Sequence, residues 1–503
     1  MKRNRFGAAV ALALGGLMLL GVPHAKAGLF GLGHKAPATP TPSPSPLPTA
    51  TPVPSDILIP RLKARLKAHP TDRQSAIELA GAYLGIGRAD QALSLTQQLL
   101  QNGNKSAQVY YLDGFAQQQV GNNSAALSDF QNASDLDPTN VGILTQLADM
   151  YAQTQQFALA ERVAKRGVIF NKTDPQAYLT LGAIYADEQK FDLARAQFAK
   201  AEAVAPGDPT ALVQVARTYQ QQKNIPKALA AIRSALALDP RNLDILLLRA
   251  SLFASQHNDV KTALAFDDAE FAANSDHQRA QVLVQKSSYF ASEKKYPQAF
   301  AILQKALLAF PKSALVHGSL GDLYANQKNI KDARIQWQAA LAIDPTDAVV
   351  LDHLAQDAIA QHNTVLATTY LTALVKAQPS AQSFAMLGQI YFLRHIYAKA
   401  RAACESSFQV DREPDTLGCI AASDYYLHDY GDAAQIFDAL DRNAPGFLDR
   451  QPEMLFVAAK TYNMNHDRSK TLQSYQRLLR IVPKGSPAYR QVVAKIRALG
   501  KKP

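Results

Sequence analysis

The 503-residue sequence contains only two cysteines and one tryptophan, and it lacks the common catalytic motifs. Two cysteines exclude a disulfide-dense framework, and no pair of Cys-x-x-Cys motifs is present to build a structural zinc site. The sequence has no His-Glu-x-x-His, no Gly-x-Ser-x-Gly, no phosphate loop ending in Gly-Lys-Ser/Thr and no Gly-x-Gly-x-x-Gly. These absences exclude the main signatures of metalloproteases, serine hydrolases and nucleotide-binding enzymes. We therefore expect a protein that is not an enzyme and has no cofactor or metal site.

Long apolar runs are also missing, except for one at the N-terminus. Basic residues precede an uncharged segment from Phe6 to Val22, and the small residues Ala25 and Ala27 follow where a signal peptidase cleaves. We predict that residues 1–27 are a signal peptide and that the chain is exported to the periplasm, the cell envelope or beyond. The alternative is an uncleaved signal anchor that tethers the chain, because the run approaches the length of a membrane span. After cleavage we expect no transmembrane span.

Residues 28–60 are rich in proline, threonine and serine. Nine of the 27 prolines lie between Ala36 and Pro60, where they alternate with small polar residues. Such a segment has few amide donors and little apolar surface to bury, so it favours an extended, polyproline-like chain. We predict a disordered linker that acts as a semi-rigid spacer between the membrane or wall and the rest of the chain.

The formal net charge is +11, and residues 1–27 contribute four basic and no acidic side chains, so the remaining chain carries 11 − 4 = +7, concentrated at its two ends. A nucleic-acid-binding protein needs a continuous basic face with stacking aromatic residues or a reading helix, and neither is evident. We therefore expect no nucleic-acid partner. The basic ends are interpreted as solvated caps, with weak contact to an anionic envelope surface as the alternative.

A pattern of about 34 residues repeats twelve times between residues 73 and 485. In most periods an aromatic residue is followed nine positions later by a small one, and a proline often closes the period. The alanines of this series are Ala92, Ala126, Ala160, Ala194, Ala228, Ala299, Ala333, Ala367, Ala400 and Ala434. Repeats of this length indicate a solenoid, in which each unit buries its apolar face against the next.

Each period contains two apolar stripes with helical spacing, separated by a polar break. In residues 174–206, Tyr185 belongs to the first stripe and Phe198 to the second. The small residues Gly182 and Ala194 would let the two helices approach closely. No segment alternates polar and apolar residues with a period of two, so we predict an all-α fold without a sheet.

The repeated residues are typical of one family. One repeat reads Tyr178, Leu181, Gly182, Tyr185, Ala194, Phe198, Ala201 and Pro206, and another reads His317, Leu320, Gly321, Tyr324, Ala333, Trp337, Ala340 and Pro345. This motif resembles the tetratricopeptide repeat (TPR) family. The resemblance implies a right-handed α-solenoid, or superhelix, of about twelve helix-turn-helix repeats over residues 73–485. A leading helix is expected at 56–72, and a C-terminal capping helix with a basic tail at 486–503. Two periods are longer, with extra residues around 258–277 and 443–451.

The resemblance further implies that ligands bind on a concave groove lined by the first helix of each repeat. The candidate groove residues, chosen for their positions beside the core stripe, are Tyr111, Phe115, Gln118, Gln389, Phe392 and Tyr426. Aromatic rings with neighbouring amides suit an extended peptide or a partner helix. The alternative for each residue is that it packs only against the adjoining repeat.

The two cysteines, Cys404 and Cys419, lie equally far from a turn near Asp411. On two antiparallel helices they would stand at similar height, and an exported chain meets an oxidising compartment. A disulfide that joins neighbouring repeats is one interpretation. Two free cysteines in the core are the other.

Two functions remain from the sequence. The first is a non-enzymatic, exported protein–protein interaction scaffold that binds peptides or partner proteins in its concave groove. The alternative is a component of an envelope secretion or polysaccharide-export assembly, with repeats that bind a glycan or a synthase. The second is less favoured, because the single tryptophan occupies a core position of its repeat.

Overall fold

The computed structural model describes residues 55–501, and all regular secondary structure in that range is helical. The expected signal peptide and the linker up to residue 54 lie outside the described residues. The chain divides into two compact units, of which the first ends at Asn274 and the second begins at Ser275. This boundary falls within the longer period expected around residues 258–277. Between residues 55 and 501, no helix has the length and apolar character needed to cross a membrane.

The first unit contains a leading helix and six helical hairpins. Its helices are α1 (Ser55–Ala68), α2 (Arg73–Gly85), α3 (Ala89–Gln101), α4 (Ala107–Gln119), α5 (Asn123–Leu136), α6 (Val141–Gln153), α7 (Phe157–Phe170), α8 (Pro175–Asp187), α9 (Phe191–Val204), α10 (Thr210–Gln221), α11 (Ile225–Leu238), α12 (Leu243–Ala254) and α13 (Asp259–Ala272). The even-numbered helices are the first helices of the hairpins.

The second unit contains six hairpins and a closing helix. Its helices are α14 (Asp276–Ser292), α15 (Tyr296–Ala309), α16 (Ala314–Asn326), α17 (Ile330–Ile343), α18 (Ala348–Ala360), α19 (Thr364–Ala377), α20 (Ala381–Leu393), α21 (Tyr397–Val410), α22 (Pro414–Leu427), α23 (Tyr430–Asn443), α24 (Pro452–Met464), α25 (Arg468–Ile481) and α26 (Pro487–Ala498). Both longer periods have a structural counterpart here. The first lengthens α14 to 17 residues, and the second forms a short 3₁₀ turn, Leu448–Arg450.

The leading helix, expected at residues 56–72, spans Ser55–Ala68 in the structure. Helix α1 begins at Ser55, so residues 55–60, which the composition places in the linker, are helical. Pro60 lies inside this helix, although proline removes a backbone donor and normally disfavours a helix interior. The helix ends at Ala68, where residues 69–72 form the turn into α2.

Polar caps fix where several first helices begin. The side chains of Asp72, Ser106, Asn140 and Asp174 each accept a hydrogen bond from a backbone N–H in the first turn of α2, α4, α6 and α8. These caps are 34 residues apart and satisfy N–H groups that have no partner within the helix. The sequence period is therefore also the period of helix initiation.

The turn inside each hairpin contains one residue with a positive φ. The series is Gly87, Gly121, Gln155, Gln189, Lys223, His257, Lys294, Lys328, His362, His395, His428 and His466. Only the first two are glycine, the residue that adopts this conformation without steric cost. The other ten turns carry backbone strain that the packing of the hairpin must compensate.

Close packing inside the hairpins follows the small residues of the motif. A Cβ atom at Gly182 would overlap the ring of Phe198, which is 1% exposed. Gly321 has the same position in its hairpin, where a Cβ atom would lie 2.5 Å from the Trp337 ring. The glycine is therefore needed because a large ring of the second helix lies directly on the first helix.

Neighbouring hairpins stack in the same way throughout each unit. The second helix of one hairpin packs on the first helix of the next, and first helices of adjacent hairpins also contact one another. Helix α1 packs on α2 and helix α26 packs on α25. Each unit is thus a solenoid with one face lined by first helices, which confirms the predicted all-α solenoid of tandem helical repeats.

Candidate functional site

The candidate site lies on the first helices of the first unit. We call the following residues the acidic-aromatic face: Tyr111, Phe115 and Gln118 of α4, Gln146 and Asp149 of α6, and Asp187 of α8. Three of them are candidates from the sequence, and the other three belong to the next two hairpins. Tyr111 and Gln118 of α4 contact residues of α6, and the charges of Asp149 and Asp187 are close enough to affect one another.

Two aromatic rings form the apolar part of this face. The centroids of Tyr111 and Phe115 are 4.9 Å apart in an edge-to-face arrangement, and Phe115 contacts the fully buried Phe130 at 5.4 Å. Both rings are half-buried. The Tyr111 hydroxyl lies over α6, where a Cβ atom at Gly142 would be 3.7 Å away. The core therefore holds two aromatic rings in fixed positions at the surface.

The amides of this face differ in their partners. The side chain of Gln118 donates to the sulfur of Met150, with Nε2 and Sδ 3.3 Å apart. Gln146 is 3% exposed, and within residues 55–501 its side chain makes no hydrogen bond. Buried amides in native proteins nearly always have a hydrogen-bond partner. Gln146 is not among the side chains whose polar atoms are both buried and without a partner, so its amide still reaches solvent.

The two carboxyl groups of this face have raised pKa values. Burial, with an added contribution from the charge of Asp187, raises the pKa of Asp149 to about 7. Burial also raises the pKa of Asp187. Burial and the charge of Asp149 raise the pKa of Tyr111 to about 12. No basic side chain between residues 55 and 501 pairs with either carboxyl group.

A second carboxyl pair lies behind this face, between α4 and α5. Asp113 is 3% exposed and accepts a hydrogen bond from the Thr96 hydroxyl. Burial and the hydrogen bond with Asp113 raise the pKa of Asp129. A neighbouring carboxyl group disfavours the charged form of Asp129, as burial does. The pair is an internal contact of one hairpin, in which Asp113 is buried and Asp129 is half-buried.

The first helices of the second unit also carry carboxyl groups, but these have internal partners. Trp337 Nε1 donates to Asp322 Oδ1 at 2.8 Å, and His353 Nδ1 lies 3.0 Å from the same oxygen. Burial disfavours the charged imidazole, but the hydrogen bond and charge of Asp322 outweigh burial and raise the pKa of His353. Gln356 donates to Asp352 at 2.8 Å.

The three candidates in the second unit have different environments. Phe392 is 3% exposed, with its ring against Tyr397 and Tyr426, so the expectation that it lies open in a groove is wrong. One ring of its own hairpin, Tyr397, and one ring of the next hairpin, Tyr426, enclose it. Tyr426 is half-buried and stacks on Tyr397 with centroids 4.6 Å apart. Gln389 is half-buried on α20.

The cysteines join two hairpins of the second unit. A disulfide links Cys404 of α21 to Cys419 of α22, with the Cα atoms 6.2 Å apart. An ion pair between Arg401 and the fully buried Asp424 joins the same two helices, with Nε and Oδ1 2.7 Å apart. Burial nevertheless raises the pKa of Asp424 to about 6, against the effect of Arg401. These contacts stabilise a junction between hairpins.

Of the three polar residues that sequence reasoning missed, Asp149 has a position in the repeat that could have identified it. Phe115 and Asp149 are 34 residues apart, so they occupy the same position in successive repeats. A comparison of repeats at that position would have selected Asp149 beside Phe115. In residues 55–501 no group of three or more side chains is arranged to bind a metal ion.

Comparison with known proteins identifies the repeats. Two tetratricopeptide-repeat sequence models match the chain, at residues 214–277 and 290–356. The chain is a tetratricopeptide-repeat protein. TPR proteins bind other proteins or peptides, which supports a role as a protein–protein interaction scaffold. No curated protein sequence matches the chain.

Solved structures with similarity to this TPR protein include three bacterial chains. The TPR protein TTC0263 of Thermus thermophilus is 24% identical over 36% of this chain and 98% of its own, with a TM-score of 0.33. The pilF protein of Pseudomonas aeruginosa is 22% identical over 44% of this chain and all of its own, with a TM-score of 0.34. MamA of Desulfovibrio magneticus is 16% identical over 34% of this chain and 96% of its own, with a TM-score of 0.30.

Proposed function

We propose that this TPR protein is an exported, non-enzymatic scaffold that binds a segment of a partner protein on the acidic-aromatic face. The observation that carries the proposal is the half-exposed edge-to-face pair of Tyr111 and Phe115, anchored on the buried Phe130. Fixed aromatic rings contribute strongly to protein interfaces because they bury area without losing much conformational freedom. Polar groups of α6 beside them would position the backbone of a bound segment.

Three observations support the exported location. The N-terminal sequence has the basic, apolar and small-residue order of a signal peptide. A proline-rich segment follows, as a spacer would. The disulfide between Cys404 and Cys419 suits an oxidising compartment outside the cytoplasm. N-terminal sequencing of the protein from the cell envelope is expected to begin at Gly28, and a sequence beginning at Met1 would show an uncleaved anchor.

Site-specific photo-crosslinking tests the binding face. A photoreactive residue at Gln118 is expected to crosslink a partner protein in the envelope. The same residue at Phe170, an exposed aromatic position on the second helix α7, is the matched control and should give no such product. Tyr111→Ala should remove the crosslink at 118 while circular dichroism shows an unchanged helix content. Equal crosslinking from positions 118 and 170 would contradict the proposal.

A further inference from the structure

We propose that a surface of the second unit, which we call the tyrosine platform, binds the proline-rich segment of this chain, residues 36–54. The tyrosine platform consists of Tyr397 of α21, Tyr425 and Tyr426 of α22, and Tyr430 of α23. It belongs to a different unit from the acidic-aromatic face, and its occupant is a segment of this chain. The inference therefore goes beyond the proposed function, which concerns another protein.

Ring contacts connect the four tyrosines into one surface. The rings of Tyr397 and Tyr426 are stacked, with centroids 4.6 Å apart and an interplanar angle of 9°. Tyr425 contacts Tyr426 at 5.1 Å and Tyr430 at 5.7 Å. The buried Phe392 supports the stack through T-shaped contacts with Tyr397 and Tyr426, at 5.3 and 5.5 Å. Each of the four tyrosines is half-buried, so the rings are anchored in the core and still present area to a ligand.

The helices that carry these rings are also joined by stronger contacts than packing. The disulfide between Cys404 and Cys419 links α21 to α22. The ion pair between Arg401 and the buried Asp424 links the same helices, directly before Tyr425. A surface that is ordered before binding loses little conformational freedom when a ligand binds. The junction therefore gives the tyrosine platform the rigidity that a recognition surface needs.

Two hydroxyl groups of the tyrosine platform are available to a ligand. The hydroxyls of Tyr397 and Tyr430 lie 2.7 and 2.6 Å from the Nδ1 atom of the histidine two residues earlier. The hydroxyls of Tyr425 and Tyr426 have no hydrogen-bond partner among residues 55–501. They are also not among the buried polar atoms without a partner, so both reach solvent. Each can donate a hydrogen bond to a carbonyl group.

A proline-rich chain matches this surface in two respects. A polyproline-like backbone makes no internal hydrogen bonds, so its carbonyl groups are free to accept bonds from the tyrosine hydroxyls. Proline-rich segments also bind to grooves lined by aromatic rings, and their preformed conformation keeps the entropic cost of binding low.

Residues 36–54 have the composition that this surface favours. They contain eight prolines and no charged side chain. The four tyrosines are uncharged as well, so no charge has to be desolvated without a partner when the segment binds. Because the segment belongs to the chain, every platform is accompanied by one copy of this ligand.

Photo-crosslinking in the purified full-length chain tests the contact. p-Benzoylphenylalanine at position 430 is expected to crosslink to residues 36–54, and mass spectrometry of the digested product identifies the linked segment. The same photoreactive residue at position 296 is the matched control. Tyr296 is also half-buried and lies at the start of a second helix, α15, but it is outside the platform. Position 296 should give no product with residues 36–54.

A synthetic peptide of residues 36–54 measures the chemistry of recognition. It should compete with the crosslink from position 430, whereas the same peptide with alanine in place of every proline should not. With a fluorescent label, its anisotropy gives the affinity for each variant. Tyr426→Ala should weaken binding about tenfold or more. Tyr426→Phe keeps the packed ring and removes only the hydroxyl, so it should weaken binding about threefold to tenfold with an unchanged circular dichroism spectrum. Tyr296→Ala should leave the affinity unchanged.

Three outcomes would overturn the inference. The photoreactive residue at position 430 forms no product with residues 36–54, positions 430 and 296 give equal yields of that product, or the alanine-substituted peptide competes as well as the native one. The crosslink from position 118 to an envelope partner is a separate measurement on the first unit. Its absence would contradict the proposed function and leave the tyrosine platform unaffected.

Discussion

The two units differ in how their first helices hold carboxyl groups. In the second unit, Asp322 accepts a hydrogen bond from Trp337 and pairs with His353. In the first unit, Asp149 and Asp187 have no comparable partner among the described residues. Asp187 is exposed, but Asp149 is partly buried, and a partly buried carboxyl group without a partner lowers stability when it is charged. The comparison shows that Asp149 costs folding free energy when it is charged, whereas the partners of Asp322 reduce that cost in the second unit.

The units differ equally in how adjacent hairpins are joined. The junction of α21 and α22 combines a disulfide, a buried ion pair and stacked tyrosine rings. The hairpins of the first unit, from residue 55 onward, are joined by apolar packing and polar contacts without a disulfide. Since a solenoid is stabilised by interactions between neighbouring repeats, one reinforced junction affects mainly the unit that contains it.

The largest effect is expected from removing the disulfide. Cys404→Ser with Cys419→Ser should lower the free energy of unfolding of the second unit by about 3 kcal/mol, the usual value for a loop of this length. Hydrogen exchange should accelerate in α21 and α22 and remain unchanged in α4 and α6. A reducing agent acting on the wild type should reproduce the effect. Equal acceleration of hydrogen exchange in both units would contradict the expectation that the disulfide stabilises mainly the second unit.

A smaller effect is expected at the close contacts inside the hairpins. Gly182→Ala and Gly388→Ala change the same motif position in the two units, and each new Cβ atom would overlap a neighbour, Phe198 or Cys404. Both should destabilise the protein by about 1–3 kcal/mol in urea unfolding. Gly388→Ala should cost more, because a ring can tilt away while a bridged sulfur is held.

Gly81 provides the control for these substitutions. It lies in the first helix α2, and a Cβ atom there would have no neighbour within 4 Å. Gly81→Ala should therefore stabilise the protein by about 0.5–1 kcal/mol through helix propensity alone. If all three substitutions destabilise the protein equally, packing against Phe198 and Cys404 does not explain why positions 182 and 388 are occupied by glycine.

The repeated pattern determines most of the fold, because the same residues specify helix starts, turns and close packing in every repeat. Gly182 opposite Phe198 follows from the motif, and the caps at 34-residue intervals follow from the period. The site is less predictable. Phe392 carries the same residue type as Phe115, but neighbouring rings bury it. Which aromatic residue remains exposed depends on rings such as Tyr397 of the same hairpin and Tyr426 of the next, and the repeat motif does not specify these residues.

The unpaired carboxyl group of Asp149 should make the melting temperature depend on pH in a way that differs from the effect of Asp322 in the second unit. The pKa of Asp149 is raised to about 7, so the folded protein binds this proton more tightly than the unfolded chain does. The free energy of unfolding is therefore highest below pH 4 and decreases as the pH rises toward 7. Asp149→Asn should therefore raise the melting temperature by about 2–4 °C at pH 8 and leave it unchanged at pH 4. Calorimetry at the two pH values measures this difference.

Asp322→Asn is the matched substitution in the second unit and should have the opposite sign. It weakens the contact with His353, whose raised pKa gives stability that is present at low pH and lost as the imidazole deprotonates. The melting temperature should fall, and more so at pH 5 than at pH 8. If both substitutions stabilise at pH 8, the partners of Asp322 do not compensate for its burial.

The smallest effect concerns the turns with positive φ. The first unit begins with Gly87 and Gly121 at this position, whereas His362 and His428 occupy it in the second, at φ values of 57° and 71°. His362→Gly should stabilise the second unit by about 0.5–1 kcal/mol by removing the strain of a left-handed residue. His428→Gly should gain less, because His428 Nδ1 and the Tyr430 hydroxyl are 2.6 Å apart and that hydrogen bond is lost. Denaturant midpoints measure both changes, and equal gains would show that the hydrogen bond between His428 and Tyr430 does not offset the strain.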